Sequence, residues 1–300
     1  MDLELDSIYE ELVNYHINDY AIFEATLKRD FLEATGVLNE AQDEIFCEQV
    51  GESITNMIFN FKNNISKITD RFVNYITDYK KNKWDKRWAK EKDIWEKADL
   101  TGLKLSKPVY IPSDAEILRL LKFMMRAVNF NADQLIKELE SGIIDKLIND
   151  TNDRYKNHKK YFKDCHNSIW NQSTTEPFKV LKKETVINNI NLDVKNVKYV
   201  LELKTRIDKH LDTFSKAMKA QEKKSKPESK VIYTKSVQFL NAYRRDSVMV
   251  MNSIIKEAKA LFKNDIYIYN VGIAYAKKQK HGVSESVDIE YIEAIAELEF

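Results

Sequence analysis

A strict apolar repeat between residues 54 and 79 constrains the fold of this chain more than any other feature. The apolar side chains follow one another at alternating spacings of four and three residues. Such a repeat places one narrow apolar stripe along a long helix, which a second helix must cover. We call this stripe the seam; its members are Ile54, Ile58, Phe61, Ile65, Ile68, Phe72, Tyr75 and Tyr79.

The scarcity of turn residues also favours helices. The 300 residues include only six Gly and four Pro, far below ordinary usage of about 7% and about 5%. Sheets and barrels need turn residues every few positions, whereas long helices do not. We therefore predict an all-α fold, an elongated bundle of long helices with heptad seams and at most a minor strand element.

The composition also bears on where the protein acts. With 43% hydrophobic and 32% charged residues, it is typical of a folded protein rather than a disordered one. We expect no membrane span, because no run approaches about 18 apolar residues, and no signal peptide, because Met1 is followed by acidic residues. Cys47 and Cys165 lie far apart and indicate reduced thiols in a cytosol.

Breaks in the apolar rhythm divide the chain into six predicted segments. Ile266-Tyr267-Ile268-Tyr269 is either a short strand or a buried helical turn. The segments are a long helical hairpin with a Trp/Lys-rich extension (1–99), a linker or arm (100–112), a helical segment (113–170), a loop region (171–194), a helical hairpin with a flexible 222–230 linker (195–283) and an acidic C-terminal helix (284–300).

Three tryptophans follow the seam at helical spacing. Trp84, Trp88 and Trp95 share one helical face and are interleaved with lysines. Basic and aromatic residues in this arrangement can stack on the bases of single-stranded nucleic acid. However, acidic residues interrupt the run, and an indole stripe is typical of a core or an interface. We therefore interpret the three indoles as interaction residues in a packed interface.

The charges of the chain are segregated along its length. Residues 1–53 contain fourteen acidic and two basic residues, and residues 285–300 contain six acidic residues and no basic one. Since the whole chain has a net charge of +1, residues 54–284 carry +19. This pattern indicates either separately solvated faces or contacts between opposite charges, with other copies or with a polyanion.

The acidic C-terminal segment has the pattern of a docking helix. Its acidic positions alternate with an apolar stripe, which can bury one face against a partner while the charges select that partner. We predict that residues 286–300 form an assembly contact and that the chain folds without them. The stripe consists of Val287, Tyr291, Ile292, Ile295 and Leu298.

The sequence contains no recognised catalytic or phosphate-binding motif. The one cluster with metal-ligand chemistry comprises His158, Asp164, Cys165 and His166. On a helix, His166 points about 100° away from Cys165, whereas a zinc site needs three or four converging ligands. We expect no metal, no cofactor and no enzymatic activity.

The residue usage resembles that of helical structural proteins of tailed bacteriophages. The resemblance rests on Lys-, Asn-, Ile- and Tyr-rich stretches such as Lys62-Asn63-Asn64-Ile65 and Ile187-Asn188-Asn189-Ile190, on long helices and on the lack of a catalytic motif. It implies a multi-copy virion component of the head, neck or tail.

The sequence thus favours a structural assembly protein. It would be assembled in the host cytoplasm and would contact itself or other virion proteins, with nonspecific DNA contact through the basic middle as a further option. The alternative is a cytosolic nucleic-acid-binding or regulatory helical protein that uses the same basic middle.

Overall fold

The structure, a computed structural model, describes residues 40–113, 117–120, 122–123, 144–222 and 229–280, together with Ala25, Lys28 and Lys137. Several predicted parts of the chain lie mostly or wholly outside these residues. They are residues 1–39 of the predicted hairpin apart from Ala25 and Lys28, most of 114–143 in the predicted helical segment, residues 223–228 of the 222–230 linker, and the C-terminal segment with Tyr291, Ile292, Ile295 and Leu298.

The described chain is all-α, which confirms the predicted fold class. Helix α1 continues through a π-helical turn at Lys80–Trp84 into α2. None of the described helices has a stretch long and apolar enough to cross a membrane. The helices are α1 (Glu40–Tyr79), α2 (Asp85–Lys97), α3 (Ile144–Ile169), α4 (Pro177–Val180), α5 (Lys183–Glu222) and α6 (Ser229–Lys280).

The residues predicted as a linker or arm have a buried apolar side. Strand β1 (Val109–Tyr110) pairs antiparallel with β2 (Ser173–Thr174). The Leu105 amide also donates to the Thr175 carbonyl at 2.7 Å. Neighbouring side chains of an extended backbone point to opposite sides, so Val109 and Ile111 are buried while Tyr110 between them is exposed. The buried residues of the segment are Leu100, Leu103, Leu105, Val109 and Ile111.

The chain divides into two compact units, and four of the five boundaries between them fall within α1, α3, α5 and α6. The fifth boundary, between 125 and 126, lies outside the described residues. Each unit is described by itself below. Unit 1 comprises Met1–Thr69, Arg126–Lys159 and Glu202–Val250, and unit 2 comprises Asp70–Met125, Lys160–Leu201 and Met251–Phe300.

The seam of α1 is buried within the chain itself. Six of its eight members are buried, and Ile68 and Tyr75 are partly exposed. In unit 1, Phe61 makes an edge-to-face contact with Tyr243 of α6. In unit 2, Tyr79 contacts Phe262 of the same helix, with ring centroids 5.3 Å apart. Since other helices of the chain already cover the seam, it is not an open surface for a second copy.

The structure corrects the prediction for residues 171–194 and decides between the two alternatives for residues 266–269. The loop predicted over 171–194 is wrong for most of its length, because β2 and α4 lie within it and α5 begins at Lys183. Val186 and Ile190 are fully buried and begin a helical stripe whose packing outweighs the asparagines between them. Residues 266–269 form the helical alternative, inside α6.

Candidate functional site: a tryptophan core and a lysine face

The three tryptophans that follow the seam in sequence pack around Tyr269 of α6 in unit 2. Trp84 and Trp95 each have a ring centroid 4.8 Å from that of Tyr269. Trp88 is stacked on Trp84 at 5.9 Å. Trp84 and Trp95 are buried, and Trp88 is partly exposed. Two of the three indoles are therefore core residues and are inaccessible to bases or to a partner protein.

The π-helical turn explains how this packing follows from the seam. Tyr79 and Trp84 are five residues apart, a spacing that breaks the three-four rhythm of an α-helix. A π-turn inserts one extra residue into the helix. The insertion brings Trp84 back to the buried side, so that both aromatic residues reach α6.

Hydrogen bonds and ion pairs connect α2 to α6 next to the indoles. The buried Glu91 carboxylate accepts a hydrogen bond from the Tyr269 hydroxyl at 3.0 Å and one from the Lys277 ammonium at 2.6 Å. Arg87 lies 3.3 Å from the same carboxylate and donates to Asn270 at 2.8 Å. Burial and the charge of Glu91 raise the pKa of Tyr269, which keeps its hydroxyl protonated as a donor.

Two further residues fit this packing. A Cβ on Gly272 of α6 would lie 2.7 Å from Trp95 Cζ3 and 3.0 Å from Phe178 Cζ, so glycine permits the close approach. The Lys183 ammonium donates to the carbonyls of Trp95, Glu96 and Ala98 at 3.0, 2.9 and 2.7 Å. It thereby satisfies carbonyls that the end of α2 leaves without helical partners.

The opposite side of α2 presents a lysine face, defined as Lys86, Lys90 and Lys97. At 100° per residue these positions fall within about 40° of one another around the helix, along about 16 Å of its length. All three residues are exposed, and Asp93 lies on the same side. Within the described part of the chain, none of the three ammonium groups has an ion-pair partner. The lysine face can therefore accept an anionic partner.

The histidine and cysteine cluster of α3 does not converge on a common point. His158 pairs with the buried Asp246 in unit 1, with Nδ1 2.7 Å from Oδ1. His166 pairs with Glu257 in unit 2, also at 2.7 Å, and Cys165 is buried. No three His, Cys, Asp or Glu side chains in the described ranges are placed to hold a metal ion.

Unit 1 contains a second buried histidine that sequence reasoning did not single out. His210 Nδ1 lies 2.8 Å from the hydroxyl of Tyr243, and both residues are buried. Burial and the positive charge of Arg154 lower the pKa of His210 to about 4, so the ring is neutral at physiological pH. Burial also raises the pKa of Tyr243. The neutral pair forms a stable structural hydrogen bond.

A pocket of about 520 Å³ in unit 1 is lined mainly by apolar and amide side chains. Its Arg245 donates to Asn152 at 2.6 Å and lies 4.5 Å from the centre of the Tyr155 ring. The described lining includes no carboxylate, histidine or thiol that could act as an acid, base or nucleophile. The lining residues are Ile148, Asn152, Gln238, Asn241, Ala242 and Arg245.

Comparison with known proteins identifies no relative of this chain. No family model matches it, and neither a curated protein nor a solved structure shows significant similarity.

Proposed function

We propose that this protein is a non-catalytic structural subunit of a multi-copy assembly, and specifically a virion component of a tailed bacteriophage. The observation that supports the assembly role is the lysine face, with three exposed ammonium groups that have no ion-pair partner among the described residues. The same chain contains acidic segments at residues 1–53 and 285–300. Opposite charges on one chain allow identical copies to bind one another.

The packing of the seam limits how such an assembly could form. Because the seam is buried within the chain, a second copy would have to bind elsewhere on the surface. Among the described residues, the most exposed large apolar side chains, Phe59 (61%) and Val180 (60%), are on different elements, as is common on protein surfaces. Charge would therefore select the partner, and the apolar stripe of residues 286–300 would supply most of the affinity.

The phage assignment rests on the resemblance in residue usage and on the helical architecture. It can be tested by peptide mass spectrometry of particles purified from cells that carry the encoding genome. A virion component should sediment with the capsid proteins at a fixed ratio of several copies per particle. Recovery of the chain only in the soluble lysate would contradict the assignment.

Nucleic-acid binding is the second candidate function, and the net charge of +19 on residues 54–284 favours it. Stacking of bases on Trp84 or Trp95 has no support, because both side chains are buried. Binding would depend on phosphate contacts and would weaken steeply with salt. Fluorescence anisotropy with labelled DNA distinguishes the functions: salt-sensitive binding by a chain that does not self-associate would favour the second one.

A further inference from the structure

The pocket of unit 1 lies between one face of α3 and one face of α6. Its lining residues on α6 recur at spacings of three and four between Gln238 and Arg245. An ion pair between Lys235 and Asp145 connects the two helices before the pocket, and the hydrogen bond from Arg245 to Asn152 connects them at its end. Because both contacts hold the helices together, the pocket is a defined gap between two elements.

The pocket combines an apolar interior with polar side chains at its rim. Ala242 is buried and Ile148 is partly buried, whereas Gln238 and Arg245 are exposed. Gln238 and Arg245 are seven residues apart, which corresponds to about 10 Å along the helix axis. The volume of about 520 Å³ is within the range of about 300–1,000 Å³ that is usual for ligand pockets. The pocket therefore has room for a small molecule with an apolar body and polar ends.

Arg245 places a positive charge at one end of the pocket. Its Nη2 donates to Asn152 Oδ1 at 2.6 Å, and its guanidinium carbon lies 4.5 Å from the centre of the Tyr155 ring. Both contacts are with neutral groups, and within the described part of the chain Arg245 has no ion-pair partner. A guanidinium has five N–H donors, so the contact with Asn152 leaves donors for a ligand. Such donors bind a carboxylate through two parallel hydrogen bonds.

Acidic residues next to this end of the pocket are paired with other groups. Asp153 Oδ1 lies 3.3 Å from the Lys156 ammonium, and Asp246 Oδ1 lies 2.7 Å from Nδ1 of His158. The described lining itself contains no carboxylate. An anion that reaches Arg245 therefore meets no acidic side chain of the described lining.

The polar groups of the pocket match a carboxylate better than a phosphate. One guanidinium balances the single charge of a carboxylate, whereas phosphate groups are commonly bound by helix N-termini or by several cations. The described lining has neither a lysine nor the first turn of a helix. Asn241 Oδ1 is buried and accepts no hydrogen bond from the described residues. The amide of Asn241 can therefore turn toward a donor of the ligand without breaking a bond to that oxygen.

We propose that this pocket is a binding site for a small organic carboxylate. The carboxylate group pairs with Arg245, and the apolar body of the ligand lies against Ile148 and Ala242. The side-chain amides of Gln238 and Asn241 contact polar substituents of the ligand. Because the described lining has no acid, base or nucleophile, the site binds its ligand without chemical change. This binding role is separate from the proposed role in assembly.

Isothermal titration calorimetry of the full chain with three probes tests the proposal. Phenylbutanoate has a carboxylate on an apolar body, phenylbutanamide is its neutral counterpart, and phenyl phosphate has the alternative anionic group. We expect phenylbutanoate to bind with a Kd of about 1 mM or lower, at least about tenfold more tightly than the amide and more tightly than the phosphate. Absence of phenylbutanoate binding up to about 10 mM, or binding of either other probe with equal or higher affinity, would overturn the proposal.

Two substitutions locate the bound carboxylate. Arg245→Gln removes the charge from an exposed position and should weaken phenylbutanoate binding about tenfold or more, with phenylbutanamide binding unchanged. Arg71→Gln removes the same charge from an exposed position in unit 2 and should bind both probes like the wild-type protein. Circular dichroism checks that both variants are folded. Equal effects of the two substitutions on phenylbutanoate affinity would contradict the proposal, whereas the comparison of probes on the wild-type protein depends on neither variant.

Discussion

Individual side chains in unit 2 connect parts of the chain that are far apart in sequence. Lys183 binds carbonyls 85 to 88 residues earlier, and Tyr269 binds Glu91, 178 residues earlier. Each contact gives a buried or terminal polar group the partner that it needs. We therefore expect these residues to contribute to the stability of the fold rather than to binding.

Replacement of Lys183 tests the capping contact at the end of α2. Lys183→Met keeps the aliphatic part of the side chain but removes three hydrogen bonds from a charged donor. Charged hydrogen bonds contribute about 1.5–3 kcal/mol each at most, and the three share one ammonium group, so we expect a total loss of about 2 kcal/mol. Urea unfolding measures this change in the free energy of unfolding.

The neighbouring Lys182 provides a matched control for this substitution. Its side chain is exposed, so Lys182→Met should change the free energy of unfolding by no more than about 0.5 kcal/mol. Equal effects of the two substitutions would show that the loss comes from overall charge rather than from the carbonyl contacts.

Protonation of His210 should destabilise the folded protein in acid. Its pKa is lowered from 6.5 to about 4 in the folded protein, so its contribution is present above pH 6.5 and is lost as the pH falls toward 4. His210→Gln cannot take up the proton and should lose less stability over that interval than the wild-type protein. Urea midpoints measured across the interval would contradict this account if the two proteins declined in parallel.

Sequence reasoning identified some of these residues and missed others for a physical reason. The three tryptophans were found because large aromatic residues at helical spacing mark a buried side. Lys183 and His210 were missed because a polar residue is exposed by default, and only the tertiary packing shows that it is buried or paired.

The helices could be predicted from local sequence patterns more completely than the individual side-chain contacts. The seam predicted α1, and six of its eight residues are buried. The π-helical turn at Lys80–Trp84 was missed, although the spacing of five between Tyr79 and Trp84 was a readable signal. The start of α5 was misplaced because β-branched residues and asparagines have weak helix propensity, whereas its buried stripe depends on tertiary partners.

Substitution of a seam residue tests the role of α1. Ile65 is completely buried, so Ile65→Asp places an uncompensated charge in the core and should destabilise the protein by more than about 4 kcal/mol. The exposed neighbour Asn63 serves as the control, because Asn63→Asp introduces the same carboxylate into solvent. Similar melting temperatures for the two variants would mean that the seam does not support the fold.

The distribution of charge over the whole chain is the basis of the proposed assembly. Basic residues predominate between 54 and 284, and acidic residues predominate at both ends. This asymmetry is fully readable from the sequence. The sequence does not show which lysines remain without ion-pair partners, because that depends on how α2 turns its tryptophans toward α6 and leaves the lysine face exposed.

Sedimentation velocity of the full-length chain tests the assembly claim most directly. The protein should sediment above its protomer mass of 35.3 kDa in about 50 mM salt and dissociate in about 500 mM salt, where charge interactions are screened within a few ångströms. Deletion of residues 286–300, or the combined change Lys86→Glu, Lys90→Glu and Lys97→Glu, should leave folded protomers at both salt concentrations.

The control variant replaces three exposed lysines of α3 and should assemble like the wild-type protein; its changes are Lys159→Glu, Lys160→Glu and Lys163→Glu. A full-length chain that remains a protomer in low salt, or a lysine-face variant that assembles normally, would contradict the account.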